Sequence, residues 1–156
     1  MVNARIATGA EQPINRDGAV SQYAGEEGDL VGVDGNGDFQ MADAATGVAV
    51  NAVGVLMAPV SDPTDFAHEE LRIVVEANRE LVGENRITAV KYGVIIENSD
   101  EDWGFTPGQP VYLGEGGGYT QTEPSDSGDI VQVVGMATDD GEAVFLDVAT
   151  DYNTVA

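Results

Sequence analysis

The sequence predicts an all-β protein, a compact small barrel or sandwich built from two similar hairpin units at about 28–57 and 108–137. Short apolar runs alternate with glycine-rich turns along most of the chain, and 20 of its 156 residues are glycine. Matching segments also recur about 80 residues apart, which indicates an internal repeat. The length suits one β domain, residues 23–156, with an N-terminal extended arm at residues 1–22.

The arm has few apolar residues, and they are widely spaced among polar ones. This pattern favours an extended segment. Such an arm either docks on a neighbouring molecule or is a frayed terminus, and the sequence does not separate the two. If it docks, the candidate interface residues are Ile6, Pro13 and Ile14.

The first unit opens with a predicted hairpin. Leu30–Val33 forms an apolar strand, Asp34–Asp38 supplies turn residues suited to positive φ, and Phe39–Ala42 returns. Val48–Leu56 follows with a broken alternation of valines, which predicts another strand.

The segment after the first unit fits either a helix or a strand. Asp62–Asp65 resembles a helix N-cap with proline at the first helical position. Ile73–Val75 is β-branched and suits a strand equally well. We expect at most one short helix near residues 63–71, followed by a strand, and leave residues 63–82 open between helix and strand.

Two features precede the second unit. Ile87–Glu97 is the longest alternating stretch and predicts a half-buried strand. Trp103 and Phe105 then lie in an acidic, loop-like segment. Their rings either close one end of the core or anchor an interface, and core packing is the favoured alternative.

The second unit repeats the first in the same order of elements, and Ala143–Val148 predicts a final strand after it. Three matches at nearly constant spacing favour duplication over the shared composition of unrelated hairpins. The matches are Gly28–Val33 with Gly108–Leu113, Gly37–Gln40 with Gly117–Thr120, and Val53–Val55 with Val134–Met136.

The chain is strongly acidic, with 28 acidic and 6 basic residues and a net charge of −22. This charge excludes binding to the phosphate backbone of nucleic acid and disfavours an anionic membrane. The acids are scattered along the chain and lysine occurs once, at Lys91. A surface adapted to molar salt is therefore favoured over a local acidic patch for a cationic partner, because salt screens the self-repulsion of such a surface.

One acidic pattern is reminiscent of a calcium loop. Asp34, Asn36 and Asp38 have the spacing of its first ligands, but Phe39 and Ala45 stand where an EF-hand needs glycine and glutamate. A hairpin tip is the better interpretation. We predict no metal, with Asp34, Asn36 and Asp38 as weak candidates, and no cofactor.

The sequence offers no catalytic constellation. There is no cysteine, and the single histidine, His68, lacks the partners of a zinc helix or a serine triad. Carboxylate pairs are uninformative in a chain with so many acids. We predict that the protein is not an enzyme, and a small acid-pair hydrolase stays the weakest alternative.

The second unit also carries a resemblance to a known family. Thr106–Leu113, Gly118–Thr122 and Gly128–Ala137 look like the C-terminal β motif of the head decoration proteins, or capsid cement proteins, of tailed viruses. Gly28–Val31 and Val53–Val55 are similar to the partner half of such domains. The acidity fits a virus that infects haloarchaea.

The resemblance implies a structural role without catalytic residues. Such proteins lie on the outer capsid surface of the virion, are made in the host cytoplasm, bind the major capsid protein and stabilise the shell. A homo-oligomer is expected, with a trimer favoured. A halophilic cell-surface or secreted β binding module is the alternative, although the first residues contain no apolar run of the secretory-signal type.

Overall fold

The structure, a computed structural model, describes residues 4–6, 13–17, 25–57, 86–98 and 103–156. It is nearly all β, with a sheet curled into a half-barrel, which confirms the predicted fold class. The strands are β1 (Ala4–Ile6), β2 (Pro13–Asp17), β3 (Leu30–Val33), β4 (Phe39–Met41), β5 (Gly54–Leu56), β6 (Arg86–Val90), β7 (Tyr92–Asn98), β8 (Pro110–Leu113), β9 (Tyr119–Thr120), β10 (Ile130–Val131), β11 (Val133–Thr138), β12 (Ala143–Asp147) and β13 (Asn153–Thr154).

Helical structure plays little part in the described ranges. A short 3-10 helix spans Asp139–Gly141. The short helix predicted near residues 63–71, and the choice between helix and strand over 63–82, lie outside the described residues. Within the described ranges no helix has the length and apolar character needed to span a bilayer.

The strands form two large antiparallel sheets with matching topology. A six-stranded sheet has the order β1-β7-β12-β11-β8-β9, and a five-stranded sheet has the order β2-β6-β5-β3-β4. Strands β7, β8, β9, β11 and β12 are therefore arranged among themselves as β2, β3, β4, β5 and β6 are. We call β2–β6 the first unit and β7–β12 the second unit. The duplication is longer than the two hairpin units predicted from the sequence.

The two units differ at one connection. Residues 57–85 join β5 to β6 in the first unit, whereas residues 139–142 make the matching turn between β11 and β12. Relative to the second unit, the first unit therefore contains an insertion. It coincides with the segment whose sequence fits both helix and strand.

Hydrogen bonds at matching positions show that the repeat is structural. The glycine before β3 and the glycine before β8 each donate to the end of the Val-Gly-apolar strand of their unit, and the two hairpin tips close with the same pair of bonds. The amide-to-carbonyl distances are 2.9 Å for Gly28 to Leu56 and 2.8 Å for Gly108 to Ala137, and at the tips 2.9 Å for Asp34 to Asp38 and 2.7 Å for Gly114 to Gly118.

The repeated Val-Gly-apolar pattern has a steric cause. A Cβ atom at Gly54 would lie 2.9 Å from the carbonyl oxygen of Val90, and one at Gly135 would lie 2.4 Å from that of Phe145. The neighbouring strand approaches so closely that only glycine fits without a backbone shift.

The predicted strand Ile87–Glu97 is in fact two strands in different sheets. Strand β6 ends at Val90, and β7 begins at Tyr92, so the chain passes from the first unit to the second at Lys91. The Lys91 ammonium donates to the Thr150 hydroxyl, and the Lys91 carbonyl accepts from the Val148 amide at 3.0 Å. Alternation of side chains continues on both sides of this bend, so the sequence pattern could not reveal it.

The two sheets share one main core. The face that the first sheet turns toward this core corresponds, in the repeat, to the outer face of the second sheet. The first unit contributes Leu30, Val55 and Val90 to this core. At the matching positions of the second unit the opposite face points inward, through residues such as Val111 and Val144. A second cluster, made of Val31, Phe39, Leu56 and Ala89, is buried on the other face of the five-stranded sheet.

A buried glutamine joins the two units. The Gln132 side chain accepts from the Ala52 amide at 2.7 Å and donates to the carbonyl oxygens of Ala52 and Ala149, both at 2.8 Å. Its three bonds satisfy both polar atoms of the amide, so a polar side chain is accommodated between β10 and β11.

The N-terminal arm contributes an edge strand to each large sheet. Strand β1 lies beside β7, and β2 lies beside β6. In this register Ile6 is opposite Ile96, Pro13 is opposite Val90 and Ile14 is opposite Ala89. A role of Ile6, Pro13 and Ile14 at an interface stays a prediction.

Candidate functional site

Four residues form a straight line across the outer face of the six-stranded sheet. Pro110 of β8, Met136 of β11, Phe145 of β12 and Ile95 of β7 are consecutive cross-strand partners. We call them the apolar row. Met136 is 49% exposed and Phe145 is 44% exposed, while Pro110 is exposed and Ile95 is partly buried.

Strand alternation explains why the row faces outward. Successive side chains of a strand point to opposite faces of its sheet. The residues next to the row, Val111, Ala137, Val144 and Ile96, are buried in the main core. The row is therefore held by strands whose other face is anchored in the interior.

The first unit contains a matching row in a different environment. Leu30, Val55, Val90 and Pro13 are consecutive cross-strand partners in the five-stranded sheet. Leu30, Val55 and Val90 are each 0% exposed, because the second sheet covers them in the main core. One position in the repeat is thus buried by a sheet in one unit and open to solvent in the other.

Acidic residues border the apolar row on two sides. Glu97 lies two positions from Ile95 along β7, and Asp147 lies two positions from Phe145 along β12. Asp147 is exposed and Glu97 is partly buried. Arg5 of β1 is the cross-strand partner of Glu97. The row is therefore apolar along its length and carries carboxylates at its margins.

The structure places Trp103 and Phe105 against the main core. Both rings are partly buried and pack on the core cluster. Their ring centroids are 5.2 Å apart in a stacked arrangement, and Trp103 lies 5.3 Å from the Tyr119 ring. This is the packing role that the sequence favoured. An additional role of these two residues at an interface stays a prediction.

Tyr119 links this aromatic group to the first unit. Its buried hydroxyl donates to the Gly28 carbonyl oxygen at 2.7 Å. Burial, with a further contribution from the negative charge of Asp29, raises the pKa of this hydroxyl. A buried phenol that is neutral and already bonded serves the packing of the two units.

Asp34, Asn36 and Asp38 form the tip of the β3–β4 hairpin. The Asp34 carboxylate accepts from the backbone amides of Asn36 at 2.8 Å and Asp38 at 2.9 Å, and from the Gln40 side chain. The Asp38 amide is the leading cause that lowers the pKa of Asp34, and the bond from the Asn36 amide also contributes. The spacing that resembles a calcium loop is thus used here to close a turn.

The structure brings together a second cluster of acidic residues, which no pattern in the sequence indicates. Carboxylate oxygens of Glu115, Asp126 and Asp129 lie within 4.8 Å of one another, a spacing that a cation could use. The buried Asp129 already accepts from the amides of Thr46 at 2.9 Å and Asp126 at 3.0 Å. These acids are brought together by the β8–β9 tip and the turn before β10, so no local motif marks them.

The described surface depressions are open. One lies beside the β3–β4 tip and includes Val48, Val50 and Tyr152, with Asp34 as its carboxylate. Since Asp34 is engaged in the turn, this depression shows no paired acid and base. His68, the histidine considered above, lies outside the described residues.

Comparison with known proteins adds no relative. Protein-family models, curated proteins and solved structures were all compared, and none matches this chain. The resemblance to head decoration proteins therefore depends only on the segments of this sequence that carry it. Thr106–Leu113, Gly118–Thr122 and Gly128–Ala137 contain β8, β9, β10 and all of β11 except Thr138.

Proposed function

We propose that the chain is a structural virion protein of a tailed virus, which decorates the outside of the capsid shell and stabilises it by binding the major capsid protein. The observation that carries this proposal is the placement of large apolar side chains on the exposed surface of a rigid β frame. These residues are Tyr92 of β7, Met136 of β11 and Phe145 of β12.

Such a surface suits binding to another protein. Exposed apolar groups on strands are already ordered, so they lose little conformational freedom when a partner covers them. Protein interfaces use a few anchors of this kind, often aromatic, surrounded by polar residues. The open depressions of the described surface are less suited to enclosing a small substrate.

The acidic composition is compatible with this role in molar salt. At that ionic strength the Debye length is about 3 Å, so the charges of neighbouring molecules are largely screened. Several weak apolar contacts made by an oligomer would then add up through multivalency. A trimer is the oligomeric state that we propose, as the resemblance implies.

The test is binding to shells of the virus that encodes this chain, assembled without it. In molar KCl we expect the purified protein to sediment with the shells in a saturable manner and to raise the temperature at which they break. Sedimentation velocity in the same buffer is expected to give a trimer. A folded protein that does not bind such shells at any concentration tested would overturn the proposal.

A further inference from the structure

We propose that the apolar row, Pro110, Met136, Phe145 and Ile95, is the surface that docks on the shell protein, and that the partner presents an apolar β-sheet face bordered by lysine or arginine. This inference rests on the proposed function and names the site and partner chemistry that the function leaves open.

The duplication shows what kind of surface covers a row of this geometry. In the first unit the matching row, through Leu30, Val55 and Val90, is fully buried under the inner face of the other sheet. Packed sheets lie about 10 Å apart with interdigitating side chains. The second unit has the same strand order, and its row is paired across the strands as the first row is, so it can receive a sheet face in the same way.

The side chains of the exposed row support a binding role. Where the first unit has Val55 and Val90, the second has Met136 and Phe145. These are larger apolar groups, although the position is open to solvent. Methionine adapts its shape to a partner and phenylalanine buries a large area, so both serve as interface anchors.

A second copy of this chain does not fit the row as the second sheet fits the first. The face that covers the buried row belongs to the second unit, and its counterpart in the first unit contains Val31, Phe39 and Leu56. That counterpart is itself buried, with Val31 and Leu56 at 0% exposure. A second copy therefore has no free face equivalent to the one that covers the buried row, and it cannot cover the exposed row in the same way.

Charge also favours a different protein as the partner. A second copy would bring another net charge of −22, and its own Glu97 and Asp147, to the margins of the row. A partner with lysine or arginine at those margins has the complementary charge. Asp147 is exposed whereas Glu97 is partly buried, so a substitution at Asp147 is the more direct test of the partner's charge at this margin.

The first experiment replaces the row and compares it with matched exposed positions. Met136→Asp and Phe145→Asp are tested for co-sedimentation with shells in molar KCl, beside the controls Val48→Asp and Tyr152→Asp. Val48 and Tyr152 are also large, exposed apolar residues, but neither belongs to a strand of the six-stranded sheet. We expect each row variant to weaken binding by about tenfold or more and each control to change it by less than about twofold.

Its outcomes separate this inference from the proposed function. If the wild-type protein binds the shells and the row variants bind equally well, the row inference is overturned while the function stands. If the wild-type protein does not bind, the function itself fails. Trp103 fluorescence and circular dichroism verify the fold of every variant, and a variant that is unfolded is replaced by the milder Met136→Ser or Phe145→Ser.

Two further measurements test the choice of partner. Asp147→Lys is expected to weaken shell binding several-fold at about 0.5 M salt and less in molar salt, with exposed Asp151→Lys as control. Tighter binding by Asp147→Lys would overturn the basic border. Sedimentation of the isolated protein is expected to be the same with and without the row substitutions. An oligomer that dissociates in Met136→Asp would assign the row to a second copy instead.

Discussion

At the scale of single residues, Gln132 and Tyr119 each join the two units through one buried polar group. Gln132 contacts the backbone of Ala52 in the first unit, and Tyr119 bonds to Gly28. Both bonds are made in the interior, where an unpaired polar group is expensive. The contact between the two sheets is therefore specified by polar as well as apolar residues.

Gln132→Ala is expected to destabilise the fold by about 2 kcal/mol or more. The substitution leaves the buried amide and carbonyl of Ala52 and the partly buried carbonyl of Ala149 without their partner, and it opens a cavity. Chemical denaturation at constant salt measures the change in the free energy of unfolding. The exposed Gln109→Ala serves as the control, and an equal change in the two variants would contradict a joining role for Gln132.

Tyr119 makes the fold sensitive to alkaline pH. Because burial raises the pKa of its hydroxyl above the ordinary value of 10.0, the neutral form is favoured in the folded state. Its stabilising contribution is complete below pH 10.0 and is lost as the pH rises above that value, since the unfolded chain ionises first.

Tyr119→Phe is accordingly expected to reduce the loss of stability above pH 10.0. It also removes one buried hydrogen bond, which lowers the free energy of unfolding near neutral pH by about 1 kcal/mol. Thermal unfolding across the alkaline range measures both effects, and the exposed Tyr152→Phe is the control. An alkaline slope that is identical in the wild type and Tyr119→Phe would exclude this assignment.

At the scale of elements, the close pairing of β11 with β12 depends on Gly135. The carbonyl oxygen of Phe145 occupies the space that a side chain at Gly135 would need. The same approach recurs between Gly54 and Val90, so the two units share a steric requirement as well as a strand order. The Val-Gly-apolar pattern is the sequence signature of this requirement.

Gly135→Ala should push β12 away from β11 and destabilise the protein by about 1–3 kcal/mol. Gly35→Ala is the matched control, because a Cβ atom there meets nothing within 4 Å. Differential scanning calorimetry in molar KCl compares the two variants with the wild type. Comparable melting temperatures for Gly135→Ala and Gly35→Ala would show that β11 and β12 are less tightly held than the distance indicates.

At the scale of the whole molecule, the dominant feature is a net charge of −22. Charge of one sign disfavours any compact state through self-repulsion. The structure distributes exposed acids over turns and sheet margins, as at Glu115, Asp139, Glu142 and Asp147. The stability of the fold is therefore expected to depend on the salt concentration.

Dialysis to low salt is expected to unfold the protein or lower its melting temperature markedly. The Debye length rises from about 3 Å at 1 M to about 10 Å at 0.1 M, so repulsion among the acids increases. Circular dichroism at a series of KCl concentrations measures the change, and added divalent cations should restore the fold. Sucrose at equal osmolarity is the control for effects other than screening, and a melting temperature that is independent of KCl would contradict the expectation.

Several features could be predicted from the sequence because their causes are local. The Asp34–Asp38 tip is specified by an aspartate that bonds to its own turn, and the core strands follow the alternation of apolar residues. The bend at Lys91 and the cluster of Glu115, Asp126 and Asp129 could not be predicted. Both depend on which strands become neighbours, and alternation along one strand carries no such information.

Local patterns in the sequence specify the β class, the duplication and the turns. Which face of each sheet is covered depends on how the two sheets pack together. Val55 and Met136 occupy equivalent places in the repeat, yet Val55 is 0% exposed and Met136 is 49% exposed. The physical reason is that alternation separates the two faces of a strand, whereas burial depends on the surface that packs against each face.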